Sequence, residues 1–202
     1  GGAARGDAAA AIADRASRQE TRTFTDAGVR DAAEAGDAPP AVPRHYETVR
    51  DEAALQRWLH EIERAELVCF DTETTGLDPM RAQIVGLSLA IEPGRACYIP
   101  LAHRYTGAPD QLDRDRTLAA LAPWFADPAR AKVGQNVKYD QHALANHGVA
   151  LAGVAHDTLL ESYVLESHKP HDMDSLAWRH LDWKTVACAE VGGKGGSQIG
   201  FD

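Results

Sequence analysis

Cysteine is scarce. Cys69, Cys97 and Cys188 are the only three in 202 residues, they stand far apart, and they form no Cys-x-x-Cys pair. An odd, scattered set supports neither a disulfide framework nor a zinc ribbon, and a reducing compartment is the expectation it leaves. No apolar run approaches the roughly 20 residues that a bilayer crossing needs, which excludes a membrane-spanning helix. Ala8 to Ala13 is too short to read as a secretory signal. Excess positive charge is missing too: 21 basic residues stand against 30 acidic ones, a net charge of −9. That balance excludes gripping a nucleic-acid duplex by bulk electrostatics. It leaves room for holding a nucleic-acid end through metal ions, which bring their own positive charge. Aromatic residues are 6% of the chain, and its four tryptophans are scattered, so they read as core or helix-packing residues and not as a base-stacking row. No internal repeat is visible.

What is present divides in two. Residues 1–45 read as a flexible Ala/Pro-rich linker; residues 1–43 hold fourteen Ala, close with Pro39, Pro40 and Pro43, and have few larger apolar side chains. Such a stretch buries too little apolar surface to offset its ordering entropy. From Tyr46 the pattern is that of a folded domain. Leu55, Trp58, Leu59 and Ile62 predict a helix over about 51–65. Leu67 to Phe70 predicts a strand buried on both faces, and 84–91 and 96–99 predict two more in an antiparallel meander. Beyond them come a helix behind Asp113, a short strand at 132–134, and a helix over about 139–146. A helix behind Asp157, with Leu160, Tyr163 and Val164 as its apolar stripe, and a last helix at 174–181 follow. The fold class is α/β, with a mixed central sheet flanked by helices.

The chemistry concentrates at two places. Asp71-Thr72-Glu73 ends the 67–70 strand, and alternation along a strand puts both carboxylates on one face. Two acids that close repel each other unless a cation lies between them, and Mg²⁺ or Mn²⁺ prefers such oxygens. The same tripeptide also reads as a solvated acidic turn. In Gly134-Gln135-Asn136-Val137-Lys138-Tyr139-Asp140, a strand gives way to two amides and a helix whose first turn carries a third carboxylate. Asn136 and Asp140 read equally as caps, and Tyr139 as a core aromatic.

Taken together and in this order, the segments resemble a known family. Asp71-Thr72-Glu73-Thr74 with Leu77-Asp78, and Gln135-Asn136-Val137-Lys138-Tyr139-Asp140, look like the first two motifs of the 3′–5′ exonuclease domain of bacterial DNA polymerase I. The likeness continues through Val85 to Ser88, Tyr98-Ile99-Pro100, Ala108 to Gln111, His156 to Tyr163 and His171 to Leu176, covering about 46–202. It implies a ribonuclease-H-like fold and two-metal hydrolysis of the 3′-terminal phosphodiester of single-stranded DNA, the proofreading reaction. Carried over by position, Asp71, Glu73 and Asp140 are the catalytic, metal-binding carboxylates for two Mg²⁺ or Mn²⁺ ions. Thr72, Thr74, Leu77, Gln135, Asn136 and Tyr139 form the substrate-binding set, with Leu77 wedging the terminal base. The implied partners are a single-stranded 3′ end and covalently linked polymerase and 5′-nuclease domains. The setting implied is the bacterial cytoplasm near the nucleoid, as a monomer.

The family's fourth carboxylate, on a Tyr-x-x-x-Asp motif, has no match here: four residues after Tyr163 stands Ser167. With Gly at position 1, this suggests a fragment truncated before its third motif, of little activity by itself. A domain that only supports a neighbouring polymerase is the alternative. Cys188 stands where relatives often carry an aromatic residue, and Lys169 where they offer an arginine; Lys169 is expected at most to touch a phosphate. The glycine-rich stretch 192–197 lacks phosphate-loop spacing. His168 and His171 read as surface histidines.

Overall fold

A computed structural model of the chain describes residues 42–185. Within them run β1 (His45–Thr48), α1 (Glu52–Arg64), β2 (Leu67–Thr74), β3 (Ile84–Glu92) and β4 (Arg95–Pro100). The second half alternates: α2 (Arg114–Ala126), β5 (Ala131–Gly134), α3 (Val137–Ala145), β6 (Val154–Asp157), α4 (Thr158–Glu166) and α5 (Met173–Leu181). The strands make one mixed sheet in the order β1-β4-β3-β2-β5-β6. β2, β3 and β4 form the antiparallel meander, whereas β1 joins β4, and β5 and β6 extend from β2, in parallel. β1 and β6 are additions to the sequence reading. Each has four residues at a sheet edge and is mostly exposed, so neither carries an apolar alternation to announce it. His45, expected as the end of the linker, is the first residue of β1 and pairs with Arg95.

The core lies against the sheet and takes side chains from helices α1, α2 and α3, the last through Val137, Ala143 and Leu144. Asp51 caps α1, its carboxylate accepting from Ala54 N at 2.8 Å, and Leu55, Trp58 and Ile62 bury one stripe. From α2, Leu118, Leu121 and Phe125 enter the same core. Phe125 meets Phe70 edge to face, with ring centroids 5.6 Å apart, and Trp124 Nε1 donates to the Ile62 carbonyl at 3.2 Å. Burial of each such side chain contributes about 1.5–3 kcal/mol. Lys132 on β5 is fully buried; its ammonium donates to the carbonyls of Asp127 and Arg130 at 3.1 and 2.9 Å and lies over the Trp124 ring. Those carbonyls supply the polar partners that a buried ammonium requires.

Several expectations are corrected. β2 is half-buried, not buried on both faces: Val68, Phe70 and Thr72 point inward while Leu67, Cys69 and Asp71 face out. That parity places Asp71 outside and Thr72 inside. On α4 the supposed core stripe is exposed, Leu160 at 60% and Val164 at 86%, and Ser162 is the helix's buried residue. Trp58 and Trp124 are core residues, but Trp178 and Trp183 are exposed, Trp183 with the Arg44 guanidinium 4.0 Å from its ring centre. His171 is buried, not superficial, because Ser162 Oγ bonds its Nδ1 at 2.8 Å and Tyr163 stacks 3.7 Å from it. Lys169 is engaged in an ion pair with Glu166. Cys188 and the glycine-rich stretch lie outside the described residues.

Candidate active site

The site grows from one mismatch of strand lengths. β2 pairs with β5 only from Leu67 to Cys69, while its pairing with β3 continues to Thr74. Past Cys69, the β5 side of β2 therefore offers backbone groups with no strand to receive them. Asp140 of α3 fills that gap: its Oδ1 accepts from Thr72 N at 3.0 Å and from Thr72 Oγ1 at 2.7 Å. Residues 68 positions apart are joined between Asp71 and Glu73 in the chain. Asp140 is 2% exposed.

The approach of α3 to that edge is set by the turn before it. A Cβ on Gly134 would stand 3.2 Å from the Phe70 carbonyl and 2.9 Å from Val137 Cγ2, so the close crossing requires glycine. Asn136 follows in the left-handed region, at φ 61° and ψ 47°, a conformation asparagine tolerates better than most residues. Its side chain does not cap α3. That task falls to Asp157, whose carboxylate takes the N–H groups of Asn136 at 3.1 Å and Val137 at 2.9 Å. The same carboxylate caps α4 through Leu159 N and Leu160 N. Relieved of capping, Asn136 is exposed.

The remaining residues of the expected substrate set divide by role. The Tyr139 hydroxyl bonds the Gly76 carbonyl and lies 2.5 Å from Thr74 Oγ1, tying α3 to the turn after β2. Leu77, one residue further, is 94% exposed. Both ends of the Gln135 amide are engaged internally, donating to the His171 carbonyl at 2.9 Å and accepting from Thr158 Oγ1. Thus Leu77 and Asn136 face solvent, whereas Thr72, Thr74, Gln135 and Tyr139 make the bonds that hold the site together.

Electrostatically, the acids share one unbalanced field. Burial pushes the Asp140 carboxyl up to about 7, and the charge of Asp71 adds to the rise, against the opposing Thr72 hydrogen bonds. Crowding by surrounding protein also raises Asp71. Glu73 rises through burial and then through Asp71, with His103 pulling the other way. Even the thiol of Cys69, a residue exposed overall, is pushed up, by the protein packed around it and then by Asp71 and Asp140. Mutual repulsion of this kind is what a cation relieves, and three carboxylates are the donor type that Mg²⁺ and Mn²⁺ accept. Among the described residues, however, no group of three His, Cys, Asp or Glu side chains is arranged to hold an ion. The three acids are electrostatic neighbours, with one Asp140 oxygen committed to Thr72, and do not form a finished cage.

A family described as 3′–5′ exonuclease matches residues 46–200. The chain belongs to that family. It is 48% identical over 191 residues to DNA polymerase I of Pseudomonas aeruginosa, a match covering 91% of this chain and 21% of the relative. With DNA polymerase I of Chloroflexus aurantiacus it shares 34% identity, over 81% of this chain and 17% of the relative. The chain is thus similar to the exonuclease domain of DNA polymerase I and spans about a fifth of the length of the curated relatives it matches. Among solved structures, Pol1 of M. smegmatis, described as its POL domain with DNA primer-template and dNTP, superposes with a TM-score of 0.57 at 26% identity. That match covers 69% of this chain and 23% of the other. The catalytic core of RRP6 from Trypanosoma brucei, at 13% identity, gives a TM-score of 0.57 over 73% of this chain and 37% of its own. It shares the ribonuclease-H-like fold of this exonuclease domain.

Two features of the exonuclease domain escaped the sequence reading. Asp157 reads as the cap of α4 from its position, and nothing local signals that it serves α3 as well. The second is a polar chain beside Glu73. Tyr98 Oη lies 2.5 Å from His103 Nε2, and the Gln111 amide grips the His103 backbone at both N–H (2.7 Å) and carbonyl (2.9 Å). Its available signals were a glycine inside a strand, Gly86, and the likeness already noted at Tyr98 and Gln111, neither of which tells what these residues touch.

Proposed function

We propose that this domain removes nucleotides from the 3′ end of single-stranded DNA, with Asp71, Glu73 and Asp140 holding two divalent ions, as the proofreading part of a DNA polymerase. What supports the reading is the union of distant acids at the end of β2, where Asp140 is bonded to Thr72 beside Asp71 and Glu73. When bound, a pair of such ions supplies the charge that makes water nucleophilic and stabilises the leaving 3′ oxygen. The chain's own residues orient and exclude. Thr72 fixes one Asp140 oxygen and leaves the other for an ion, and Tyr139 with Thr74 sets the turn that presents Leu77. Leu77 and Asn136, both exposed, meet the unpaired terminal nucleotides, Leu77 by apolar contact that ignores sequence. Gln135 acts behind them, keeping the start of α3 in place.

The polymerase and 5′-nuclease domains are the covalent partners in this reading, and replication and repair in the bacterial cytoplasm, near the nucleoid, are its setting. No helix among the described residues is long and apolar enough to cross a membrane. With the family's fourth acid unmatched in this sequence, the 202-residue chain is proposed to have little nuclease activity by itself; a monomer is proposed separately. A second reading, a silent module supporting a polymerase, is favoured by the absence of a ready ion cage among the described residues.

Thermal unfolding with and without Mg²⁺ or Mn²⁺ separates the two. An ion site stabilises the native state by about 2.7 kcal/mol at a hundred times its Kd, and Asp71→Asn or Glu73→Gln removes that gain. Indifference of the wild-type chain to both ions supports the silent module. Robust digestion of a single-stranded 3′ end by the chain would refute the weak-activity part.

A further inference from the structure

Gly86 is the cross-strand partner of Glu73, and the two lie on the same face of the sheet. A Cβ on Gly86 would stand 1.9 Å from Tyr98 Oη. The Tyr98 hydroxyl therefore fills the place of the missing side chain, the place from which a cross-strand neighbour reaches Glu73. Directly opposed Cβ positions on paired strands are about 4.5–5.5 Å apart, within reach of a glutamate side chain. Behind the hydroxyl stands His103 Nε2, at 2.5 Å. Behind His103 stands Gln111, bonded to its backbone on both sides. The electrostatics agree: burial and then Glu73 push the Tyr98 hydroxyl up, and His103 offsets part of the rise that burial and Asp71 impose on Glu73.

We propose that Tyr98 is a positioning residue for Glu73: its hydroxyl, seated over Gly86 and backed by His103 and Gln111, selects the rotamer in which the carboxylate is presented. With the proton of His103 on Nε2, that nitrogen donates to Tyr98 Oη and leaves the hydroxyl proton for Glu73. The chain Gln111–His103–Tyr98–Glu73 then runs from a clamped backbone to a proposed ion ligand, the outer-shell support that fixes ligand geometry in metal sites. The inference rests on the ion-holding role proposed above for Glu73.

Two measurements on the whole chain test it. The order of the Glu73 Cγ methylene is read by ¹³C relaxation in metal-free protein, and Mn²⁺ affinity by calorimetric titration. Tyr98→Phe keeps the ring and removes the hydroxyl; Gly86→Ala, a second route, displaces the hydroxyl by contact. Tyr46→Phe, exposed on β1 at the far edge of the sheet, is the control. Both test variants are expected to lower the order of the methylene and weaken Mn²⁺ binding about tenfold, with the control unchanged. Unchanged order in Tyr98→Phe overturns the proposal whatever the ion does, and so does lower order with undiminished Mn²⁺ affinity. If the wild type binds no Mn²⁺ and the order still falls, the positioning role stands and the ion-holding role of Glu73 fails.

Discussion

Replacing Asp140 with asparagine should make the domain more stable, and only at neutral and alkaline pH. The native carboxyl titrates near 7, against 3.8 for an ordinary aspartate, chiefly because it is buried. A folded value above the unfolded one means that the native state holds the proton more tightly. The stability this confers is complete below about pH 4, drains as pH rises toward 7, and is gone above it. A difference of about three pK units, at about 1.4 kcal/mol each, puts the cost of the ionised form on the order of 4 kcal/mol. Asparagine keeps the oxygen that accepts from Thr72 N and Oγ1 and carries no charge to bury. Its new amide needs a partner, which reduces the expected gain to about 2–4 kcal/mol at pH 8. Urea unfolding followed by tryptophan fluorescence measures it, since Trp58 and Trp124 are both 4% exposed. At pH 4 the two proteins should converge. An Asp140→Asn variant no more stable than wild type at pH 8, or equally advantaged at both pH values, would refute the burial argument. If Asp140 holds an ion as proposed, saturating Mg²⁺ should shrink the gap at pH 8, because an ion stabilises the charged form alone.

Other perturbations probe other parts of the molecule. Phe125→Ala empties a fully buried site against Phe70 and should lower stability by about 3–5 kcal/mol in urea denaturation. Asp157→Ala uncaps two helices at once, and at about 1 kcal/mol per cap should cost about 2 kcal/mol; hydrogen exchange should quicken at the starts of both α3 and α4. Iodoacetamide should modify exposed Cys69 in the native protein and reach buried Cys97, whose thiol is pushed up to about 12, only after unfolding. If Asp71 and Asp140 hold an ion as proposed, Mg²⁺ should accelerate labelling of Cys69, whose thiol is held up first by the protein packed around it and then by their charges. Equal native rates at the two cysteines would contradict the packing described.

The meander and helices α1 and α2 were legible because their apolar spacing is periodic and their caps, Asp51 and Asp113, are standard N-cap residues. β1 and β6 were not, since His45-Tyr46-Glu47-Thr48 and Val154-Ala155-His156-Asp157 are short and mixed in polarity at the sheet edges. Apolar spacing misled at α4, where a stripe of helical period faces outward: periodicity reports that residues share a face, not what covers it. In the candidate site, the identities of Asp71, Glu73 and Asp140 could be read from their motifs, but the Thr72–Asp140 bond could not. It depends on β5 ending before β2 does, a fact of sheet register. The contacts of Tyr98 and His103 were hidden for a similar reason, because the space that admits the Tyr98 hydroxyl is defined by the absence of a side chain at Gly86.

One carboxylate, that of Asp157, binds the first amides of two successive helices. It is a hydrogen-bonded joint common to both, so displacing the start of either α3 or α4 must strain or break bonds that the other shares. Asp140 rides on α3, one helical turn past that joint. Strain at the start of α4 thus has a hydrogen-bonded route to the helix that carries the acid bonded to Thr72.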